Sequence, residues 1–211
     1  MLLMLIAIII SYFLGSIPTA YLFGRAKGID IREHGSGNIG ATNALRVLGK
    51  GAGITVLFLD ILKGVIAVII LGDLAVNSLP EFSPEIVRIL IAISCICGHN
   101  WTVFLSFKGG KGIATTLGVL IGLAAKVPGL GLILVFLILT WFIIFLISRI
   151  VSLSSIIATL VFPVLTIIFG QSRVIITASV ILCVFSLLRH KSNLVRILQG
   201  KEPRLSFKKT V

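Results

Sequence analysis

The sequence predicts an all-α polytopic membrane protein, a single integral domain over 1–211 with seven transmembrane helices. Three observations predict it. The 211 residues are 57% hydrophobic and 12% charged, more apolar surface than a soluble core of this size needs. The apolar residues gather in seven runs separated by short polar stretches. The 19 Lys and Arg residues are distributed very unevenly among those stretches.

In chain order, residues 1–24 form an apolar run interrupted by Ser11, Gly15, Ser16, Pro18 and Thr19. No basic region precedes it and no clear cleavage site follows, so it reads as a retained span rather than a signal peptide. Residues 25–50 are polar and basic, with a surface helix expected over 40–48. A second span covers 52–72 and contains Asp60 and Lys63. Residues 73–85, with Asp73, Glu81 and Glu85, read as a loop. The third span is expected over 86–107. The fourth, 112–126, is shorter than the roughly 17 residues a crossing requires. The last three are 128–147, 151–169 and 173–189, followed by a basic tail.

Placing the N-terminus outside puts fifteen basic residues on the cytoplasmic side and three outside. The inner set is Arg25, Lys27, Arg32, Arg46, Lys50, Lys108, Lys111, Arg149, Arg189, Lys191, Arg196, Lys201, Arg204, Lys208 and Lys209; the outer set is Arg88, Lys126 and Arg173. The C-terminus is then cytoplasmic. This topology accounts for the net charge of +12 without a nucleic-acid partner, and the basic tail suits anionic membrane lipid. Cys95, Cys97 and Cys183 lie inside apolar runs and imply neither a disulfide framework nor a metal site.

Three polar stretches carry the candidate chemistry, and the topology brings all three to the inner face. The first is Gly35-Ser36-Gly37-Asn38-Ile39-Gly40-Ala41-Thr42-Asn43-Ala44-Leu45-Arg46. Its glycines and hydroxyl precede the expected surface helix, an arrangement suited to an anion, and Arg46 offers a planar fork for phosphate oxygens. The second runs from Gly98-His99-Asn100 to Lys108-Gly109-Gly110-Lys111-Gly112. A glycine turn with lysine at a helix start places backbone N–H groups, dipole and charge at one spot. It is not a P-loop, because Gly112 follows Lys111 where Ser or Thr is needed.

With the third span continued to 107, His99 and Asn100 lie roughly 12 Å deeper than the glycine turn, as helix–helix hydrogen bonders or, for His99, as a catalytic group. The third stretch is His190-Lys191-Ser192-Asn193 with Arg196, Gly200 and Glu202, in which His190 and Asn193 share a helix face. Asp60 and Lys63 read as an internal ion pair, or as a polar bridge reaching the inner loops. The alternatives on residue chemistry alone are a tight turn at each glycine stretch, or a small transporter of phosphate or an organic phosphate. No nucleophile elbow, His-x4-Asp motif or magnesium-holding carboxylate cluster is present, so a covalent, metal-dependent or CDP-alcohol phosphotransferase mechanism has little support.

At these three motifs, and over essentially its whole length, the chain resembles the bacterial PlsY family of acyl-phosphate–glycerol-3-phosphate acyltransferases. The resemblance implies a seven-helix bacterial inner-membrane enzyme with a cytoplasmic active site. It would transfer a fatty acyl group from acyl phosphate to the 1-hydroxyl of glycerol 3-phosphate, with no cofactor and no metal, giving lysophosphatidic acid and phosphate for phospholipid synthesis. It also implies contact with the soluble enzyme that makes the acyl phosphate.

Carried onto this chain, the catalytic residues are Ser36, Arg46, Lys111, His190 and Asn193. Gly37, Asn38, Thr42, Asn43, Lys108, Gly109, Gly110, Gly112 and Arg196 bind substrate, and Asp60, Lys63, His99, Asn100 and Glu202 support them. The backbone N–H groups of 109–112 are expected to hold the donor phosphate. The acyl chain is expected between spans where Gly118 and Gly122 leave room. Proton removal falls to the substrate's own phosphate or to His190.

Overall fold

The computed structural model describes residues 1–205, which contain helices and no strand; Lys208 and Lys209 of the inner basic set lie outside the described residues. The chain forms two compact units, Met1–Leu130 and the remainder from Gly131. Five helical stretches are long and apolar enough to cross a membrane: Leu2–Ala26, Lys50–Ser78, Pro84–Leu105, Leu130–Ser148 and Val151–Ile168. A bent pair, Arg173–Arg189 with Lys191–Leu198, makes a sixth if the two count as one span; Ile113–Ala124 is apolar but only 12 residues long.

In the first unit, α1 (Leu2–Ser16) and α2 (Thr19–Ala26) are broken at Ile17-Pro18, because proline lacks the N–H that would continue the ladder. A short helix, α3 (Ala41–Val47), occupies the first polar stretch much as expected. The second span is longer than hydropathy suggests. It continues through α4 (Lys50–Ile66), a π-helical turn at Ala67–Leu71 and α5 (Gly72–Ser78), so Asp73 is helical rather than in a loop. The buried Arg88 donates to the Val68 carbonyl in that π turn at 2.9 Å and pairs with Asp73 at 2.5 Å. Lys126 also reaches Asp73, at 2.8 Å. The third span, α6 (Pro84–Asn100), ends seven residues before the expected 107, and α7 (Ile113–Ala124) follows.

Lipid provides little drive for helix association, so close backbone approach and polar contacts must supply it. On α1 and α6, Ser11 Oγ donates to the Ile91 carbonyl and Ser94 Oγ to the Ile8 carbonyl, both at 2.7 Å. The α4–α7 contact is as tight. A Cβ on Gly64 would fall 2.4 Å from the Thr115 carbonyl oxygen, and one on Gly118 would fall 1.9 Å from that of Ile61. A Cβ on Gly122 would fall 2.7 Å from the Val68 side chain. Gly118 and Gly122 therefore leave no room for an acyl chain; they are where α7 presses against α4.

The second unit contains α8 from Gly131 onward (the helix is Leu130–Ser148), α9 (Val151–Ile168), α10 (Arg173–Arg189) and α11 (Lys191–Leu198). Hydroxyl pairs join α9 to α10, Thr159 with Ser186 at 3.2 Å and Thr166 with Ser179 at 3.1 Å. Trp141 of α8 donates its indole N–H to Ser155 Oγ at 3.1 Å.

Gly118→Ala should cost roughly 1–3 kcal/mol, because its methyl group meets backbone that cannot move aside. Gly131→Ala, on a helix face with nothing within 4 Å, should be neutral or stabilising by about 0.5–1 kcal/mol. Thermal unfolding in one detergent checks the pair; equal effects would contradict the packing described.

Candidate functional site

In the first unit the loop after α2 is held by one buried amide. Asn43 Nδ2 donates to the Ile31 and His34 carbonyls at 3.2 and 3.1 Å, and its Oδ1 accepts from the Ser36 N–H at 2.9 Å. Gly37 N–H is turned to the His34 carbonyl at 3.0 Å. Two corrections to the sequence reading follow. Asn43 positions the loop instead of facing substrate, since its amide is committed to loop backbone. The N–H groups of Ser36 and Gly37 also have internal acceptors, so these two do not donate to an anion. What the loop presents is side chains: Ser36 and Arg46 are exposed, Asn38 and Thr42 half-buried. Leu105 from the second stretch shares a buried cluster with Ile31, Ile39, Ala44 and Leu48, so the two loops of this unit rest on a common core.

The second stretch departs from expectation because α6 stops at Asn100. Thr102 Oγ1 donates to the Ser16 carbonyl at 2.6 Å and Tyr12 OH to the Trp101 carbonyl at 2.6 Å, pulling the chain out of helix and against α1. It then doubles back: Gly109 N–H donates to the Asn100 carbonyl at 3.2 Å, and Gly110 N–H to the His99 carbonyl at 2.9 Å. His99 and Asn100 thus lie directly against the glycine turn, not 12 Å below it. The expectation that Gly109 and Gly110 donate to a phosphate fails for the same reason, as their N–H groups pair with the carbonyls that α6 leaves open at its end.

The donors that remain are at the start of α7. Gly112 caps it at φ 77, a conformation that favours glycine, and no side chain bonds to the first-turn N–H groups. The first ladder bond is Thr116 N–H to the Gly112 carbonyl at 2.7 Å, which leaves the N–H groups of 113–115 without helical acceptors. Lys111 precedes this end half-buried, and Lys108 is exposed. Asn100 Oδ1, 2.5 Å from where a Gly112 Cβ would be, is buried without a hydrogen-bond partner.

Asp60 and Lys63 form the ion pair at 3.0 Å, and Lys63 Nζ is also 2.8 Å from His99 Nδ1. The ion-pair reading is what the geometry gives, with His99 in the last turn of α6 as a further neighbour of Lys63. Thr19 Oγ1 donates to Asp60 Oδ1 at 2.9 Å, a contact for which the sequence gives no signal.

In the second unit α10 and α11 meet at a 63° bend centred on His190, which ends one helix and begins the next. His190 is buried and its Nδ1–H donates to the Ser186 carbonyl at 2.8 Å. Glu202 accepts from Ser152 Oγ at 2.7 Å, Asn193 Nδ2 at 2.6 Å and Arg196 Nε at 2.7 Å. That fixes the Asn193 amide, since a carboxylate only accepts, and leaves Asn193 Oδ1 as a buried acceptor without a partner. Burial raises the Glu202 pKa, but the three donors together outweigh it and hold the carboxyl below its usual value. Ser152, one serine among several on α9, had no sequence signal marking it.

Comparison with known proteins gives one consistent result. A family model described as glycerol-3-phosphate acyltransferase matches residues 5–200. The glycerol-3-phosphate acyltransferase of Synechococcus sp. (strain CC9902) is 42% identical over 205 residues, 97% of this chain and 96% of its own. That of Thermosynechococcus vestitus is 45% identical over 202 residues, 93% and 92% of the two chains. Among solved structures, PlsY (YgiH), an integral membrane glycerol 3-phosphate acyltransferase, superposes in its glycerol 3-phosphate form with a TM-score of 0.83 at 37% identity, covering 96% of both chains. Its lysophosphatidic acid form gives 0.81 at 36% identity, covering 96% of this chain and 95% of that one.

The depressed Glu202 pKa has a pH consequence. Its stabilisation is present above the ordinary glutamate value and is lost as pH falls through the lower folded-state value. Glu202→Gln should cost about 1–3 kcal/mol at neutral pH and flatten the acid limb of the stability profile. Thermal unfolding of both forms from neutral pH downward checks this; parallel profiles would contradict it.

Proposed function

This chain belongs to the glycerol-3-phosphate acyltransferase family, and from that footing we propose that its acyl donor is acyl phosphate and its acceptor atom the 1-hydroxyl of glycerol 3-phosphate. The chain is a multi-pass membrane acyltransferase of phospholipid synthesis. The five long helices, the bent pair and the short α7 would then be seven crossings of one integral domain in the bacterial inner membrane. The N-terminus would be outside, the C-terminus cytoplasmic, and both substrates would bind at the cytoplasmic face beside the soluble donor-making enzyme.

The single observation that carries the donor assignment is the uncapped start of α7 directly behind Lys111. Acyl phosphate is a mixed anhydride whose leaving group is already good, so catalysis needs position and charge stabilisation more than a strong protein base. The donor phosphate sits at the N–H groups that open α7, with Lys111 and Lys108 neutralising it; Gly109, Gly110 and Gly112 shape the turn. Ser36, Asn38, Thr42 and Arg46 take the phosphate of glycerol 3-phosphate, on the loop that Gly37 turns at φ 69. His190, Asn193 and Arg196 hold its glycerol portion, with Glu202 orienting the last two. The lone acceptor Asn193 Oδ1 suits a hydroxyl, which can donate, rather than a phosphate oxygen, which cannot.

The hydroxyl oxygen attacks the acyl carbonyl, the carbonyl–phosphate C–O bond breaks, and the proton leaves with inorganic phosphate. Proton transfer to the substrate's phosphate is preferred. A pH–rate profile that changes shape in His190→Asn would move that role to His190.

Purified Lys111→Ala in lipid should remain folded and lose at least about 100-fold of its glycerol-3-phosphate-dependent phosphate release from palmitoyl phosphate. EDTA should leave the unmodified rate unchanged. A fully active Lys111→Ala would overturn the donor site.

A further inference from the structure

We propose that Asp60, Lys63 and His99 form a positioning relay that fixes the proton of His99 on Nε2, beneath Gly110, and so sets the donor-phosphate turn. The proposal rests on the donor site described above and adds residues that touch neither substrate.

Lys63 is 5% exposed and Asp60 1% exposed, so neither has water to turn to. The Lys63 ammonium has three N–H groups and three neighbours: Asp60 Oδ1 at 3.0 Å, the Ile17 carbonyl at 3.3 Å and His99 Nδ1 at 2.8 Å. An ammonium cannot accept a hydrogen bond. His99 Nδ1 must therefore carry a lone pair, and the proton of the neutral ring must lie on Nε2. Asp60 Oδ1 also takes the Thr19 hydroxyl at 2.9 Å, and it lies 3.8 Å from His99 Nδ1, outside hydrogen-bond distance. The carboxylate therefore acts on the ring through Lys63.

The other side of the ring faces the turn. A Cβ added to Gly110 would fall 2.2 Å from His99 Nε2 and 3.0 Å from each flanking ring carbon, so Gly110 lies on that edge of the imidazole. The Gly110 N–H is itself bonded to the His99 carbonyl at 2.9 Å. One residue thus holds Gly110 by backbone and underlies it by side chain, and Lys111 is next in the chain.

The test exploits the shapes of two amides. Glutamine places an N–H donor near the position of histidine Nε2, while asparagine reproduces only the Nδ1 end. His99→Gln should keep the KM for palmitoyl phosphate within about threefold of the unmodified chain, whereas His99→Asn, which puts no donor beneath the turn, should raise it about tenfold. Because the proposed function places glycerol 3-phosphate at the Ser36 and Arg46 loop, its KM should be unchanged in both. Equal donor KM values in the two variants, or parallel changes in both substrates' KM, would overturn the relay.

Nitrogen NMR of the full chain in lipid, with labelled imidazole, reads the tautomer independently of turnover. The Nε2–H form is expected in the unmodified chain, and it should be lost when Lys63→Met is combined with Asp60→Asn to leave no unpaired buried charge. An Nδ1–H form in the unmodified chain overturns the relay whatever the donor proves to be. An Nε2–H form with no turnover of acyl phosphate overturns only the donor assignment.

Discussion

A charged ammonium inside an apolar bundle must give every N–H to a protein acceptor, and Lys63 does so with acceptors from the Ile17-Pro18 break, α4 and α6. That requirement explains several features at once. The break at Ile17-Pro18 exposes the carbonyl that Lys63 uses, and Thr19 just beyond it completes Asp60. His99 must sit in the last turn of α6 to meet Lys63 from one side and Gly110 from the other. The glycines at 109 and 110 are then fixed by the space above that ring and by the carbonyls at the end of α6.

The same logic governs the second unit through an anion. Glu202 gathers Ser152, Asn193 and Arg196 from α9 and α11, and in doing so leaves one acceptor of Asn193 buried and unpaired. An unpaired buried acceptor is costly in a resting protein, and the substrate hydroxyl proposed for this position would offset that cost. In each unit a buried charge holds residues proposed to serve the chemistry.

The membrane character and the locations of the three polar motifs were legible in the sequence because both are carried by composition and residue type. The helix at Ala41–Val47 was legible too, behind the glycine-rich stretch that precedes it. The end of α6 was not. Trp101, Val103, Phe104, Leu105 and Phe107 keep the run apolar, so hydropathy continues after the helix has stopped, and the hydroxyls of Tyr12 and Thr102 decide the matter from the far side of a helix pair. Glycine was ambiguous for a related reason. Gly118 reads equally as space or as close approach until its neighbour is known, and that neighbour, Ile61, is on another helix. Likewise the amide of Asn43 reads as a ligand group until its three loop partners are seen.

The reaction proposed for this chain is acyl transfer from an acyl phosphate to glycerol 3-phosphate. The most direct test is the stoichiometry of the purified chain in lipid, measuring lysophosphatidic acid and inorganic phosphate together from palmitoyl phosphate. The account predicts one phosphate per lysophosphatidic acid, and negligible phosphate when glycerol 3-phosphate is omitted, because the hydroxyl and not water is positioned for attack. Phosphate release that is independent of glycerol 3-phosphate, or product formed only from an acyl thioester, would contradict it.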